Sequence, residues 1–138
     1  MAKRKIFTDD APCLYKVCRP VERFDGKLSE LIDDMAETMY AAEGCGLAAS
    51  QIGILRRVAV IDCGDGLVEL VNPTIVETSG EEGCFEGCLS FPGKSGYVVR
   101  PFAPHAFRGP GPGRDAPEEG GEKRAFGSVF LVYCFIFL

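Results

Sequence analysis

The side chains of this 138-residue chain best equipped for chemistry lie in two short stretches. Glu86-Gly87-Cys88-Leu89-Ser90 sets a lone thiol between a glycine and a turn-forming serine. Upstream, Gly44-Cys45-Gly46-Leu47-Ala48-Ala49-Ser50-Gln51-Ile52-Gly53 combines glycines with small residues, which lets backbone run close to another chain or a bound ligand. Gln51 is the one strong hydrogen-bonding side chain of that run. A buried amide must find partners, so Gln51 is either a structural bridge or a donor aimed at substrate. The run is not a phosphate-binding loop, because its Gly-x-Gly lacks the third glycine and the lysine such loops use. Cys84 and Cys88 stand at a spacing that can serve zinc, and His105 could join them in a small metal-binding module. The chain offers that module one histidine and no second cysteine pair.

Composition bounds what these residues can serve. The length supports one domain with a single core and not two. An apolar fraction of 46% with 25% charged residues is ordinary globular composition. A net charge of −5 argues against a general nucleic-acid or anionic-membrane binder, which would present a basic face. Met1-Ala2-Lys3-Arg4-Lys5 is basic, but polar residues follow it where a secretory signal would carry a long apolar run. Seven cysteines, an odd number without regular spacing, do not read as a disulfide framework. The expected location is the cytoplasm, where cysteines are small core residues or, in one or two cases, metal ligands. Cys13 and Cys18 read as packed thiols.

The elements that must position the two stretches follow from periodicity. Residues 6–24 are irregular, with Pro12 and Pro20, and suit an N-terminal arm or a short edge strand. Leu28, Leu31, Ile32, Met35 and Met39 form one apolar stripe at 3.6 spacing, which predicts a helix over 27–42. Asp25 can cap its start, and Gly44 is placed to end it in a left-handed conformation. Met35 and Met39 read as core fillers, whereas Asp33, Asp34 and Glu37 lie off the stripe and should face water. Arg57–Asp62 and Leu67–Val71 read as strands joined by the turn Cys63-Gly64-Asp65-Gly66. Asn72-Pro73 breaks the second, and Thr74–Thr78 resumes as extended chain. Glu81, Glu82 and Glu86 read as a solvated acidic turn. The pattern predicts an α+β fold, with a mainly antiparallel sheet and one long N-terminal helix.

Gly44-Cys45-Gly46-Leu47-Ala48-Ala49-Ser50-Gln51 resembles the first signature of bacterial peptide deformylases, and Glu86-Gly87-Cys88-Leu89-Ser90 matches their second. The spacing between the two, Asp34-Met35-Ala36-Glu37-Thr38-Met39-Tyr40 before the first, and Asn72-Pro73 between them are similar to that family as well. The resemblance covers about residues 4–101. It implies metal-assisted removal of the formyl group from the N-terminal formyl-methionine of nascent polypeptides near the ribosome, with no nucleic-acid or membrane partner. On this reading Cys88 is a thiolate ligand to a divalent metal, iron natively, with zinc or nickel as substitutes. Gln51 and the backbone N–H of Leu89 would hold the formyl oxygen as it becomes an oxyanion. Gly46 and Gly87 would lend backbone groups to the substrate strand, and Cys45 would line its pocket. Such a reaction needs a metal to lower the pKa of bound water. It also needs preorganised donors, each typically worth about 3–4 kcal/mol.

The family's third signature, His-Glu-x-x-His on a helix, is not in this sequence, whose single histidine is His105 within Pro104-His105-Ala106-Phe107. That motif supplies two imidazole ligands and the general base. Between residues 104 and 121, nine of eighteen positions are Gly or Pro, which cannot maintain a helix or a central strand. The chain closes on ten apolar residues, Val129 to Leu138, about half of what a spanning helix requires. The expected organisation is an incomplete deformylase-like domain over 1–101, lacking its C-terminal metal-binding helix. Residues 102–138 would be an unrelated or out-of-frame segment. Two readings compete: a deformylase impaired by the missing ligands, and a non-catalytic truncated or frameshifted relative.

Overall fold

Asp25 opens the longest element of the chain, helix α1 (Gly26–Ala41), by accepting hydrogen bonds from the N–H groups of Lys27 and Leu28. This computed structural model describes residues 2–62, 64, 66–75, 80–100 and 107–108. The apolar stripe of α1 faces inward as its spacing requires. Leu28, Ile32, Met35 and Met39 pack with Leu47, Val58, Val60 and Val71 in one core, and both methionines are wholly buried.

Two expectations about the helix are overturned. Its left-handed terminating residue is Glu43 (φ 55°), not Gly44. The Gly44 N–H still closes the helix end on Met39 O and the Glu43 N–H on Tyr40 O. Gly44 serves instead for close approach, because a Cβ there would lie 2.6 Å from Leu89 Cδ1. Asp34 does not face water: it is 1% exposed and accepts the Ala2 N–H at 2.6 Å and Arg4 Nε at 2.8 Å. Helical periodicity cannot anticipate this, because the covering group is a remote backbone arm crossing the helix. Asp33 and Glu37 are half-buried.

The arm over residues 2–24 contains a short 3-10 turn at Pro12–Tyr15, and Arg19 bridges in parallel to Arg56. Cys18 is buried and Cys13 half-buried, as packed thiols. Asn72 clamps the arm from the sheet side, accepting the Val21 N–H at 2.7 Å and donating to Val21 O at 2.8 Å.

Three antiparallel strands run in the order β1-β2-β3: β1 (Gly46–Ala48), β2 (Val58–Ile61) and β3 (Val68–Val71). Leu47 pairs with Val60 and Ala59 with Leu70. Every residue of the central strand β2 is buried, which explains its unbroken apolar run. Strand β4 (Thr74–Ile75) pairs with β7 (Phe107–Arg108), a short pairing that falls inside the Gly/Pro-rich segment. The stretch expected to be an acidic turn is a strand: β5 (Glu82–Cys88) forms a hairpin with β6 (Phe91–Arg100). Glu81 is exposed and Glu86 half-buried. Cys63 and Asp65 of the expected turn, residues 76–78, His105 and the apolar run 129–138 lie outside the described residues. Among the described residues, no helix is long and apolar enough to cross a membrane.

Candidate active site

Hairpin geometry places the thiol. Cys88 ends β5 and pairs with Phe91 across a turn made of Leu89 and Ser90, with the strand register shifting between Gly87 and Cys88. The shift takes the residues next to the turn out of regular pleating, as bulges near functional sites do. Cys88 is half-buried. Burial pushes its thiol above the ordinary value, opposed by hydrogen bonds from the N–H groups of Ser90 and Phe91 and from the Ser90 hydroxyl.

The amide arrives from the other stretch. Gln51 lies in a 3-10 turn (Ala49–Ile52) directly after β1 and is 3% exposed. Its Oε1 accepts the Ala48 N–H at 2.9 Å, the backward reach of one half of a capping box. Its Nε2 donates to Ser90 Oγ at 3.1 Å and lies 3.7 Å from Cys88 Sγ. Residues 37 positions apart thus share one small cluster. Of the two readings left open for Gln51, the structural bridge is seen in its oxygen, which holds backbone, while its nitrogen lies beside the thiol.

Of the other sequence-selected residues, Leu89 is half-buried with its side chain against Gly44, so the two stretches also touch through that pair. Gly87 precedes the thiol and is exposed. Gly46 opens β1 opposite Ile61, and Cys45 is exposed with its carbonyl accepting the Asp62 N–H.

Sequence reasoning missed the N-terminal arm as part of the site. The Phe7 N–H donates to Gln51 O and the Asp9 N–H to Ser90 O, each at 2.8 Å. One short segment therefore pins both stretches from outside. Backbone donors carry no residue signature, so nothing in the sequence marked them. Ser90, wholly buried at the centre of the cluster, was visible only as a turn former.

Among the described residues the donors around Cys88 do not amount to a metal site. Among the described residues no group of three or more His, Cys, Asp or Glu side chains could hold an ion. Cys84 stands on β5 four residues before Cys88, and its side chain is not among those described. His105 lies outside the described residues. Cys88 alone is one ligand where a hydrolytic centre uses about three.

Fold and site together define an α+β domain in which a helix backs an antiparallel sheet and two loops bring a buried amide to a thiol. The polypeptide deformylase family model matches residues 3–103. The chain is 54% identical over 101 residues to the peptide deformylase of Alkaliphilus metalliredigens, covering 73% of this chain and 69% of that one. It is 57% identical over 101 residues to that of Acetivibrio thermocellus, covering 73% and 59%. The crystal structure of a peptide deformylase from Legionella pneumophila superposes with a TM-score of 0.70 at 48% identity, covering 72% of this chain and 61% of that one. The chain belongs to the peptide deformylase family. Its matched stretch spans 59% to 69% of the lengths of these relatives.

Proposed function

We propose that this chain carries the substrate-facing half of a peptide deformylase site and is catalytically impaired. Its substrates would be N-formylmethionyl peptides, met near the ribosome in the cytoplasm. The observation that carries this reading is the Gln51 Nε2 held 3.7 Å from Cys88 Sγ. A buried amide donor beside a thiol suits an oxyanion forming next to a metal-bound thiolate. Gln51 and the Leu89 N–H would polarise the formyl oxygen, Gly46 and Gly87 would present backbone to the peptide, and Cys45 would border the methionine side chain. Cys88 would contribute one thiolate to a divalent metal, iron in the family, with zinc or nickel as substitutes. The remaining ligands have no counterpart among the described residues, so no hydrolytic step is assigned through the metal.

A non-catalytic role is the second reading, and the sequence favours it at one point: no His-Glu-x-x-His occurs in it. Both readings meet in one experiment, metal analysis of the purified chain followed by assay on a formyl-methionyl peptide. The impaired enzyme should hold less than one metal per chain. Its turnover should fall at least about a thousand-fold below that of a relative, since a positioned general base alone contributes roughly 10²–10⁴-fold. Stoichiometric metal with turnover near the ordinary enzymatic median of about 10 s⁻¹ would sink the proposal. Metal-independent binding of the formyl peptide without turnover would leave the non-catalytic reading standing.

A further inference from the structure

Ser90 has no part in the proposed chemistry, yet it occupies the centre of the cluster and is wholly buried. We infer that Ser90 is a positioning residue: its hydroxyl anchors the Gln51 amide so that an Nε2 hydrogen is presented beside Cys88. The catalytic meaning of this inference rests on the proposed function, whereas the anchoring itself does not.

The orientation of the amide follows from chemistry. A backbone N–H can only donate, so the Gln51 atom facing Ala48 N at 2.9 Å must be the oxygen. The nitrogen then points the other way, with two hydrogens to place. Ser90 Oγ takes one at 3.1 Å, and Cys88 Sγ lies 3.7 Å from the same nitrogen. A hydroxyl can accept from Gln51 while its own hydrogen stays available to donate elsewhere, so Ser90 can serve as the amide's acceptor without losing a bond of its own. The serine is itself fixed from behind, since its carbonyl accepts the Asp9 N–H at 2.8 Å. If Ser90 only formed the turn, any small turn residue would do, and its loss would not be felt at Gln51. As an anchor, it is replaceable only by another hydroxyl, because a buried amide hydrogen without an acceptor is costly.

The sequence provides an unusually clean test. Gln51 is the only glutamine in the chain and Asn72 the only asparagine. The side-chain amide region of a ¹H–¹⁵N spectrum of the full chain therefore holds two NH₂ pairs. Asn72, clamped on both its amide atoms by Val21, serves as the internal control for folding. In Ser90→Ala, one Gln51 amide proton should move upfield. The pair should exchange with solvent about ten-fold faster, the factor one ordinary hydrogen bond represents, while the Asn72 pair stays in place. Ser90→Thr, which keeps the hydroxyl, should restore the wild-type Gln51 signals. A Ser90→Ala spectrum with the Gln51 pair unmoved would overturn the inference, as would Ser90→Thr behaving like alanine while the Asn72 pair is native. If alanine disperses the Asn72 pair through unfolding, the nearly isosteric Ser90→Cys takes its place. A smaller upfield move is then expected, and an unmoved pair is equally fatal. Failure of the deformylase reading would appear separately, as absent formyl-peptide binding in the wild type, and would leave these spectra unchanged.

Discussion

A carboxylate taken out of water must be compensated by donors, and Asp34 shows how completely a single residue can depend on a remote one. The Ala2 N–H, and then Arg4, hold its carboxyl below the usual carboxylate range. A depressed folded-state pKa means the unfolded chain binds the proton more readily. The contribution is therefore fully present above the unfolded value of about 3.9 and lost as pH falls through the lower folded value. Acid unfolding of the wild type should steepen below about pH 4, and Asp34→Asn should flatten that limb while lowering stability near neutrality. Chemical denaturation at a series of pH values reads both effects, and a variant with an unaltered acid limb would contradict the assignment. Gln51 is a second residue whose worth exceeds its surface. Gln51→Ala would leave the Ala48 N–H without its acceptor and Ser90 without its donor in a closed space. The cost should be about 1–3 kcal/mol in a denaturant melt. A near-neutral variant would mean that water replaces the amide.

At the scale of elements, the core helix and its sheet were legible because their signals are local. The stripe Leu28, Ile32, Met35, Met39 and the cap Asp25 state their structure within one or two turns of chain, and the helix Gly26–Ala41 follows them closely. Asp25→Ala should accordingly cost about 1 kcal/mol. The run Val58–Ile61 and its partner Val68–Val71 were legible for the same reason. What was not legible depends on contacts across long stretches of chain. The hairpin β5–β6 was obscured because Gly, Glu and Lys fill positions where a strand signal expects β-branched residues. The arm was obscured because it acts through backbone N–H groups. Gly44 was misassigned for a related reason: its small size answers to Leu89, far along the chain, and not to the helix end beside it. Two substitutions separate these demands. Glu43→Gly should stabilise by about 0.5 kcal/mol, the relief of a left-handed conformation less the added backbone freedom. Gly44→Ala should destabilise by roughly 1–3 kcal/mol, because its methyl meets Leu89. Thermal melts of the pair should move in opposite directions, and a shared direction would show that the helix end dominates both positions.

The whole molecule carries a consequence that no single element does. Phe85 and Tyr97 are register partners on β5 and β6, and Gly83 pairs with Val99 two residues along, so the three large side chains share one face of the hairpin. Phe85 is 75% exposed, Tyr97 63% and Val99 55%, with the two rings edge to face at 5.3 Å. Alternating strand geometry would normally turn such a face toward a core. Among the described residues, β5 and β6 pair only with each other. A two-fold meeting of two such faces would bury six of these side chains. At about 1.5–3 kcal/mol each, that is at most roughly 9–18 kcal/mol of gross gain. Association itself costs about 4–15 kcal/mol, so the balance supports a weak, concentration-dependent pairing and not an obligate dimer. Sedimentation velocity across a wide concentration range should show reversible self-association. Phe85→Ser with Tyr97→Ser should abolish it without moving the Gln51 amide signals, because the exposed face and the thiol–amide cluster use different side chains. The same exposure predicts a modest margin, near the low end of the roughly 5–15 kcal/mol of ordinary domains. A chain that stays monomeric at high concentration and melts cooperatively above about 60 °C would show that this face is already covered.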